Sequence, residues 1–487
     1  MNPSPQAPDN RWPAQIKYII GNEACERFSF YGMKSILVAY MTAAVLKGGL
    51  EMSDDKATTI FHWFVFANYF MPLLGAWLSD KLIGRYHTIL WVSLFYCAGH
   101  AVLAMGDMFH DSAAKFTLLC TGLGLIAFGS GGIKPCVSAF MGDQFKPGQN
   151  HLLQKAYGAF YWSINFGSFF SFIFIPQIRD KFGYGWAFGV PGILMAVATL
   201  IFWLGSRHYV RVPPARDDKH AGFFTVLVYA LTHRAERKTG GSFWDVARAR
   251  FSAGEVDSAS SVGPILGIFA LVPPFWALFD QSGSTWVLQG QRMLPVELSG
   301  FWKDAFGWFF GDRINAENMQ STNPALVMML VPLLTLGIYP RLGKLASPLR
   351  RMGAGMFFGA FSYVVVAWLQ QRLEHGEQLS VAWQILPYIF LTTGEVLISA
   401  TGLEFAFSQA APRMKSTIMS FWLLTVAIGN ALVSVLTSAL SSEAGGHSGA
   451  VSSDRFLMYA GLTAVVGIAF ALVASRYQYR EYGTTGK

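Results

Sequence analysis

From residue 15 to residue 475 the chain is a succession of apolar stretches, and their length constrains the fold more than any other feature. The hydrocarbon core of a bilayer is roughly 30 Å thick, which takes about 20 residues of helix to cross. This ruler predicts twelve spans: 15–43, 58–80, 87–106, 116–142, 153–177, 185–206, 263–289, 323–340, 352–370, 382–411, 415–440 and 456–475. Inside hydrocarbon each segment has to satisfy its own backbone N–H and C=O groups, so the spans are read as helices. Pro72, Pro135, Pro273, Pro274 and Pro387 lie within them and predict kinks. Of 487 residues 53% are hydrophobic and 14% are Asp, Glu, Lys or Arg, against about a quarter charged in soluble domains. A soluble globular enzyme, a disordered chain and a fibrous repeat are excluded. The fold class is an all-α polytopic membrane protein.

Loop charge sets orientation. With both termini in the cytoplasm, the cytoplasmic loops and their margins carry 19 Lys or Arg and the external loops 10. Arg11, Lys17, Arg476, Arg480 and Lys487 add to the inner side. A net charge of +8 is thus read as loop charge, not as a nucleic-acid surface. Cys25, Cys97, Cys120 and Cys136 lack CxxC spacing and are expected to be small packing residues, with no metal site. No cleavable signal peptide is expected, because Glu23, Glu26 and Arg27 interrupt the first apolar run.

Three parts are predicted. Residues 1–206 form one six-helix bundle and 263–487 a second. Residues 207–262 form a cytoplasmic linker in which 221–233 is an interfacial helix and 243–256 a second surface helix. Spans two and eight both end in a cytoplasmic turn that puts a glycine beside a base, in GAWLSDKLIGRYHT (75–88) and YPRLGKLASPLR (339–350). Two six-span halves with such turns resemble the major facilitator superfamily. Asp80, Lys81, Gly84 and Arg85 supply its loop motif, with one extra residue before the glycine.

Eight charged residues fall inside spans: Glu23, Glu26, Arg27, Lys34, Lys134, Asp280, Glu395 and Glu404. Each costs about 2.5–3.5 kcal/mol at a helix centre, or roughly 20–28 kcal/mol together, more than the ~5–15 kcal/mol that holds a typical fold. They have to pair, face water or protonate. Five are acids and three are bases, so pairing leaves acids over, and a surplus acid is a candidate proton carrier. Glu23, Arg27, Phe30, Tyr31 and Lys34 recur at helical spacing along one stripe about 16 Å long, with Glu26 beside it. Such a stripe should line a cavity or form a salt-bridge seam. His62 and Tyr69 share a face of span two. Lys134 lies in a glycine-rich stretch and needs an acid, for which the span-one glutamates are candidates. Glu395 stacks with Ser399 and Gly402, while Glu404 lies on the other side of the helix and is a candidate for tying helices together.

Residues 23–32 read EACERFSFYG and resemble the ExxERFxYYG motif of the proton-dependent oligopeptide transporters. GAFYWSINFGS (158–168), FWALFDQSGSTW (275–286), QSTNP (320–324) and GEVLISATGLEFAFSQAAPRMKS (394–416) are similar to further signatures of that family. Phe30 stands where many members have Tyr, and Asp280 where Glu is usual. Two extra helices that many bacterial members carry between the halves are not expected here.

The resemblance implies proton-coupled symport of di- and tripeptides by a monomer in a cell membrane, in particular a bacterial inner membrane, with no cofactor. It implies a basic side for the peptide carboxylate made of Arg27, Tyr31, Lys34 and Lys134. Asn165, Asn323 and Glu395 would meet the amine, with Ser399 on the same face as Glu395. Tyr69 would bond the peptide backbone, and Trp276 and Trp422 would wall side-chain pockets. Proton coupling is expected at Glu23, Glu26, Arg27 and Lys134, with His62 as second candidate because its ordinary pKa lies near neutrality. Lys34 and Asp280 are expected to pair across the halves as a gate. Transport of nitrate or another small solute is the alternative; Glu395 disfavours it, since an anion has no amine to meet that acid. An intramembrane enzyme is disfavoured by the lack of HExxH, paired-Asp or GxSxG patterns.

Overall fold

A computed structural model describes residues 12–146, 149–214, 221–236, 241–411, 414–441 and 449–479. Arg11, Arg480 and Lys487, used in the orientation argument, lie outside these residues. The first half holds α1 (Ile16–Thr42), α2 (Asp54–Trp77), α3 (Arg85–Ala104), α4 (Ser112–Gly142) and α5 (Asn150–Leu204). Helix α5 contains two spans. They turn at Gly183, whose φ of 85° suits only a residue without a side chain, so the expected loop 178–184 shrinks to a single break.

The linker carries α6 (Phe223–Thr232), at the place predicted for an interfacial helix, and α7 (Ala253–Ser260). The expected continuous helix over 243–256 is broken. A short 3₁₀ turn spans Asp245–Ala249, and α7 starts anew at Ser252, whose side chain and Glu255 form a reciprocal capping box.

The second half begins with a broken span made of α8 (Val262–Phe269), α9 (Pro273–Asp280) and α10 (Thr285–Gln291). It bends by 50° where Pro273 and Pro274 remove two backbone donors. Its external loop holds a two-stranded ribbon, β1 (Val296–Glu297) and β2 (Arg313–Ile314), with α11 (Gly300–Phe310) between the strands. Then come α12 (Thr322–Pro332), α13 (Tyr339–Leu342), α14 (Pro348–Glu374), α15 (Ile385–Gln409), α16 (Lys415–Ser441) and α17 (Ser453–Ser475).

Judged by length and composition alone, eight helices can cross a membrane, or nine with the bent pair. Three further crossings complete twelve among the described residues. Helix α5 counts as one but crosses twice. In α1 the charges Glu23, Glu26, Arg27 and Lys34 depress the apolar score, and in α2 His62, Asn68 and Tyr69 do so.

The two halves repeat a local device. Leu78–Ile83 after α2 and Leu333–Ile338 after α12 are π-helical turns, each followed by a positive-φ glycine, Gly84 or Gly343. Gly84 leads into Arg85, which holds Asp143 at 2.7 Å and Asp80 at 3.7 Å, so the loop motif ties α2, α3 and α4 at the cytoplasmic face.

Buried apolar residues fall into two main clusters that show how the halves meet. One runs through the first half and joins it to the outer part of the second, from Ile16 and Phe140 to Trp286, Tyr363 and Phe456. The other holds the inner part of the second half together with Phe223, Val226 and Val256 of the linker. The halves therefore share a core at the outer end and have separate cores at the cytoplasmic end, and the linker rides on the second half. Polar contacts close the outer end. Arg179 meets Glu317 at 2.7 Å, Arg292 meets Asp54 at 2.5 Å, and Asn318 donates to the Phe172 carbonyl at 3.1 Å.

Candidate functional site: buried charges on two helical bundles

On α1 the ExxER residues fold onto one another. Arg27 Nε lies 2.6 Å from Glu23 Oε1 and 3.0 Å from Glu26 Oε2, so one guanidinium holds two buried acids. Tyr96 of α3 donates to Glu26 Oε1 from behind at 3.2 Å. Glu23 Oε2 has no hydrogen-bond partner among the described residues. Gly167 lets α5 approach this stretch: a Cβ there would stand 2.6 Å from the Ala24 carbonyl oxygen. This accounts for the Asn-x-Gly signature, with Asn165 anchored to the Tyr161 carbonyl at 3.0 Å.

Lys134 departs from expectation. The span-one glutamates were to pair with it, yet its Nζ has no hydrogen-bond partner among the described residues. It lies over two rings instead, 4.1 Å from the centre of Phe30 and 4.8 Å from that of Tyr69. Arg27 has taken both acids, and ring faces are what remains to a cation there. Phe30, where the resemblance leads one to expect a hydroxyl, supplies one of those faces. Close approach of α2 and α4 sets the geometry, since a Cβ at Gly75 would lie 2.6 Å from the Gly131 carbonyl oxygen.

The facing wall comes from the second half. Asn323 Nδ2 donates to Glu395 Oε2 at 2.7 Å and to Thr392 Oγ1 at 3.1 Å, which orients the carboxylate. Ser399 lies one turn further along α15 and is half-buried. Trp276 and Trp422 meet edge to face with ring centres 6.1 Å apart. Gly402 makes room for the Trp422 ring, and Gly429 for Trp276. The Trp276 Nε1 donor is buried and has no partner among the described residues. Glu404 is not in the interior as expected. It is 55% exposed and meets Arg351 at 2.8 Å, tying α15 to α14.

On the outer side Lys34 and Asp280 meet at 2.9 Å, both largely buried. His62 joins the same network. Its Nδ1 donates to Asn430 Oδ1 at 2.7 Å, because the Asn430 amide N is committed to Asp280 Oδ2 at 2.8 Å. Its Nε2 faces Ser284 Oγ at 2.8 Å. A continuous line thus runs Ser284–His62–Asn430–Asp280–Lys34 and crosses between the halves three times. Sequence reasoning missed Asn430 and Ser284. The available signal was an amide two turns after Trp422 in an otherwise apolar stretch, and a break in span seven. It also missed Arg179 and Glu317, which come together only through tertiary packing. Burial alone would raise the Glu317 carboxyl, but the Arg179 guanidinium outweighs it and holds the group below its ordinary value.

Comparison with known proteins agrees with this arrangement. The POT family profile matches residues 86–450. "Peptide transporter family 1" of Drosophila melanogaster is 37% identical over 381 residues, covering 76% of this chain and 49% of that protein. Human "Solute carrier family 15 member 2" is 33% identical over 420 residues, covering 82% and 55%. The chain therefore spans about half the length of the curated relatives it matches. An auto-inhibited POT family peptide transporter superposes with a TM-score of 0.84 at 39% identity, covering 98% of this chain and 99% of that one. The POT family transporter PepTSo does so with a TM-score of 0.81 at 42% identity, covering 96% and 99%. With the family profile spanning most of its helices and the same fold in those structures, the chain belongs to the POT family, the proton-dependent oligopeptide transporters of the major facilitator superfamily.

Proposed function

We propose that this protein carries di- and tripeptides across a cell membrane together with protons, by alternating access of a site between its two halves. The observation that carries this reading is the pair of unlike walls. The first half offers Arg27, Tyr31, Lys34 and the Lys134 amine, which has no hydrogen-bond partner among the described residues; the second offers Glu395 held by Asn323. A zwitterion with a carboxylate at one end and an amine at the other fits both walls, with Tyr69 assigned to its backbone and the two tryptophans to its side chains. Nitrate would meet only the first wall, and nothing in the second would hold it.

Proton coupling is assigned to the Glu23–Glu26–Arg27 cluster with Lys134. Protonating a glutamate releases Arg27 from one of its two acids and changes the field on Lys134, so substrate carboxylate and proton are linked. His62 belongs to the gate. Charging it removes the acceptor lone pair that Ser284 faces and places a cation one amide away from Asp280. In this reading Lys34–Asp280 breaks when the outer side opens. The driving force is the proton gradient and no cofactor takes part. Each copy contains both walls, which supports a monomer as the transporting unit. We place it in a bacterial inner membrane with both termini cytoplasmic, an orientation supported by loop charge.

The test is counterflow of a labelled dipeptide in proteoliposomes, with competition by free amino acids, tripeptides and nitrate. Competition by tripeptides but not by nitrate supports the proposal; effective competition by nitrate alone overturns it.

A further inference from the structure

Helix α11 has no buried residue, although six of its eleven positions are Phe or Trp. Phe301, Trp302, Phe306 and Trp308 are 73%, 60%, 42% and 76% exposed. At 100° per residue the aromatic side chains occupy one broad arc, and Gly300, Lys303, Asp304 and Gly307 occupy the other. Water is a poor neighbour for such an arc, and the helix is also held in place. The β1–β2 ribbon is its stem, Gly300 and Gly311 turn the chain at either end with φ of 53° and 78°, and Lys303 meets Asp312 at 3.0 Å.

Its contacts show where it lies. The Phe309 ring packs on α5, with ring centres 6.1, 5.7 and 5.6 Å from Phe169, Phe170 and Phe174. Gln177 Nε2 donates to the Phe309 carbonyl at 2.5 Å. Along α5, Trp162, Phe166, Phe170 and Phe174 form a ladder, each ring against the next, and Trp162 and Phe166 are exposed towards lipid. The aromatic arc of α11 continues that lipid-facing ladder. Phe174 lies nine residues before the outer turn at Gly183, or about 13 Å of helix, within the outer leaflet.

We propose that α11 is an interfacial helix seated in the outer leaflet, with its aromatic arc among the phospholipid acyl chains and glycerol groups and Lys303 and Asp304 facing water. Aromatic side chains on an amphipathic helix favour this depth. The helix hangs from the second half but rests on α5 of the first, so its lipid seat lies at the outer seam between the halves.

The test uses the full chain in phosphatidylcholine–phosphatidylglycerol liposomes, with Cys25, Cys97, Cys120 and Cys136 replaced and a nitroxide on Trp302→Cys or Asp304→Cys, which lie on opposite sides of the helix. Relaxation by oxygen, which concentrates in lipid, is compared with relaxation by a water-soluble nickel chelate. The proposal expects an oxygen-to-nickel ratio several-fold higher at 302 than at 304. Equal, water-like ratios at both sites overturn it. So does spin–spin broadening at 302 that persists at high lipid-to-protein ratio, because a second copy would then cover the arc. A second measurement needs no cysteine replacement. Lipids brominated near the glycerol should quench wild-type fluorescence more than that of the Trp302→Phe, Trp308→Phe double variant; equal quenching overturns the proposal.

Discussion

Lys34 and Asp280 stand 246 positions apart in the chain and meet at 2.9 Å, one from each half, with both side chains largely withdrawn from solvent. Losing one partner of a buried pair leaves an uncompensated charge, at a cost of about 3–5 kcal/mol. In the gate proposed above, this cost would fall on the state in which the outer side is closed.

Charge reversal tests that statement. Lys34→Asp or Asp280→Lys alone should reduce peptide uptake more than tenfold, and the double reversal should recover a substantial part. Uptake in the double variant no better than in either single one would show that the pair does not act as a unit.

Asn430 is the only atom bridge described between His62 and Asp280, accepting from one and donating to the other. Asn430→Leu keeps the branched heavy-atom shape and removes both bonds. Proton-driven accumulation should fall at least tenfold in this variant, while downhill exchange of labelled for unlabelled peptide persists. Equal loss of both would make Asn430 a packing residue only.

Gly402 has a steric role that its neighbours impose, because any side chain there would overlap the Trp422 ring. Gly402→Val should displace that ring, raise KM for peptides with bulky side chains more than for dialanine, and destabilise the protein by about 1–3 kcal/mol. A uniform rise in KM across peptides would contradict the assignment of Trp422 to a side-chain pocket.

The outer ion pair Arg179–Glu317 should be insensitive to pH in the working range. Its carboxyl is held below 4.5, so its contribution is fully present above that value and is lost only as pH falls through the lowered pKa. Glu317→Gln should therefore change the rate of outer opening without altering the shape of the uptake–pH curve between pH 5 and 8. A curve that loses its pH dependence in this variant would move the proton site to the external face.

Much of this was legible in the sequence because membranes punish charge. The stripe from Glu23 to Lys34 and the helix face of Glu395 follow from helical spacing and the cost of burying ions, and the Lys34–Asp280 pair was expected once the family resemblance was recognised. Two kinds of feature were not legible. Which acid each cation takes depends on tertiary distances: Arg27 pairs with both glutamates, and Lys134 lies over Phe30 and Tyr69. Depth along a span is equally hidden, as with Glu404, which an apolar count put in the interior and helix packing brings to the surface beside Arg351. The break before α7 was missed because a capping box at Ser252 and Glu255 outweighs the apolar pattern around it.

Glu395 and Asn323 form the proposed amine wall through one 2.7 Å hydrogen bond. Glu395→Gln keeps the shape and removes the charge. Affinity for peptides with a free amine should fall at least tenfold, and that for N-acetylated peptides much less. Parallel loss for both classes would mean that the acid does not face the amine.

The central claim is that the Lys134 amine, which has no hydrogen-bond partner among the described residues, links the peptide carboxylate to proton movement. The most direct measurement is uptake of a labelled dipeptide into proteoliposomes under an imposed inward proton gradient, comparing wild type with Lys134→Ala. The account predicts concentrative uptake in the wild type and none above the no-gradient level in the variant, which should still fold and equilibrate peptide downhill. Normal gradient-driven accumulation by Lys134→Ala would contradict it.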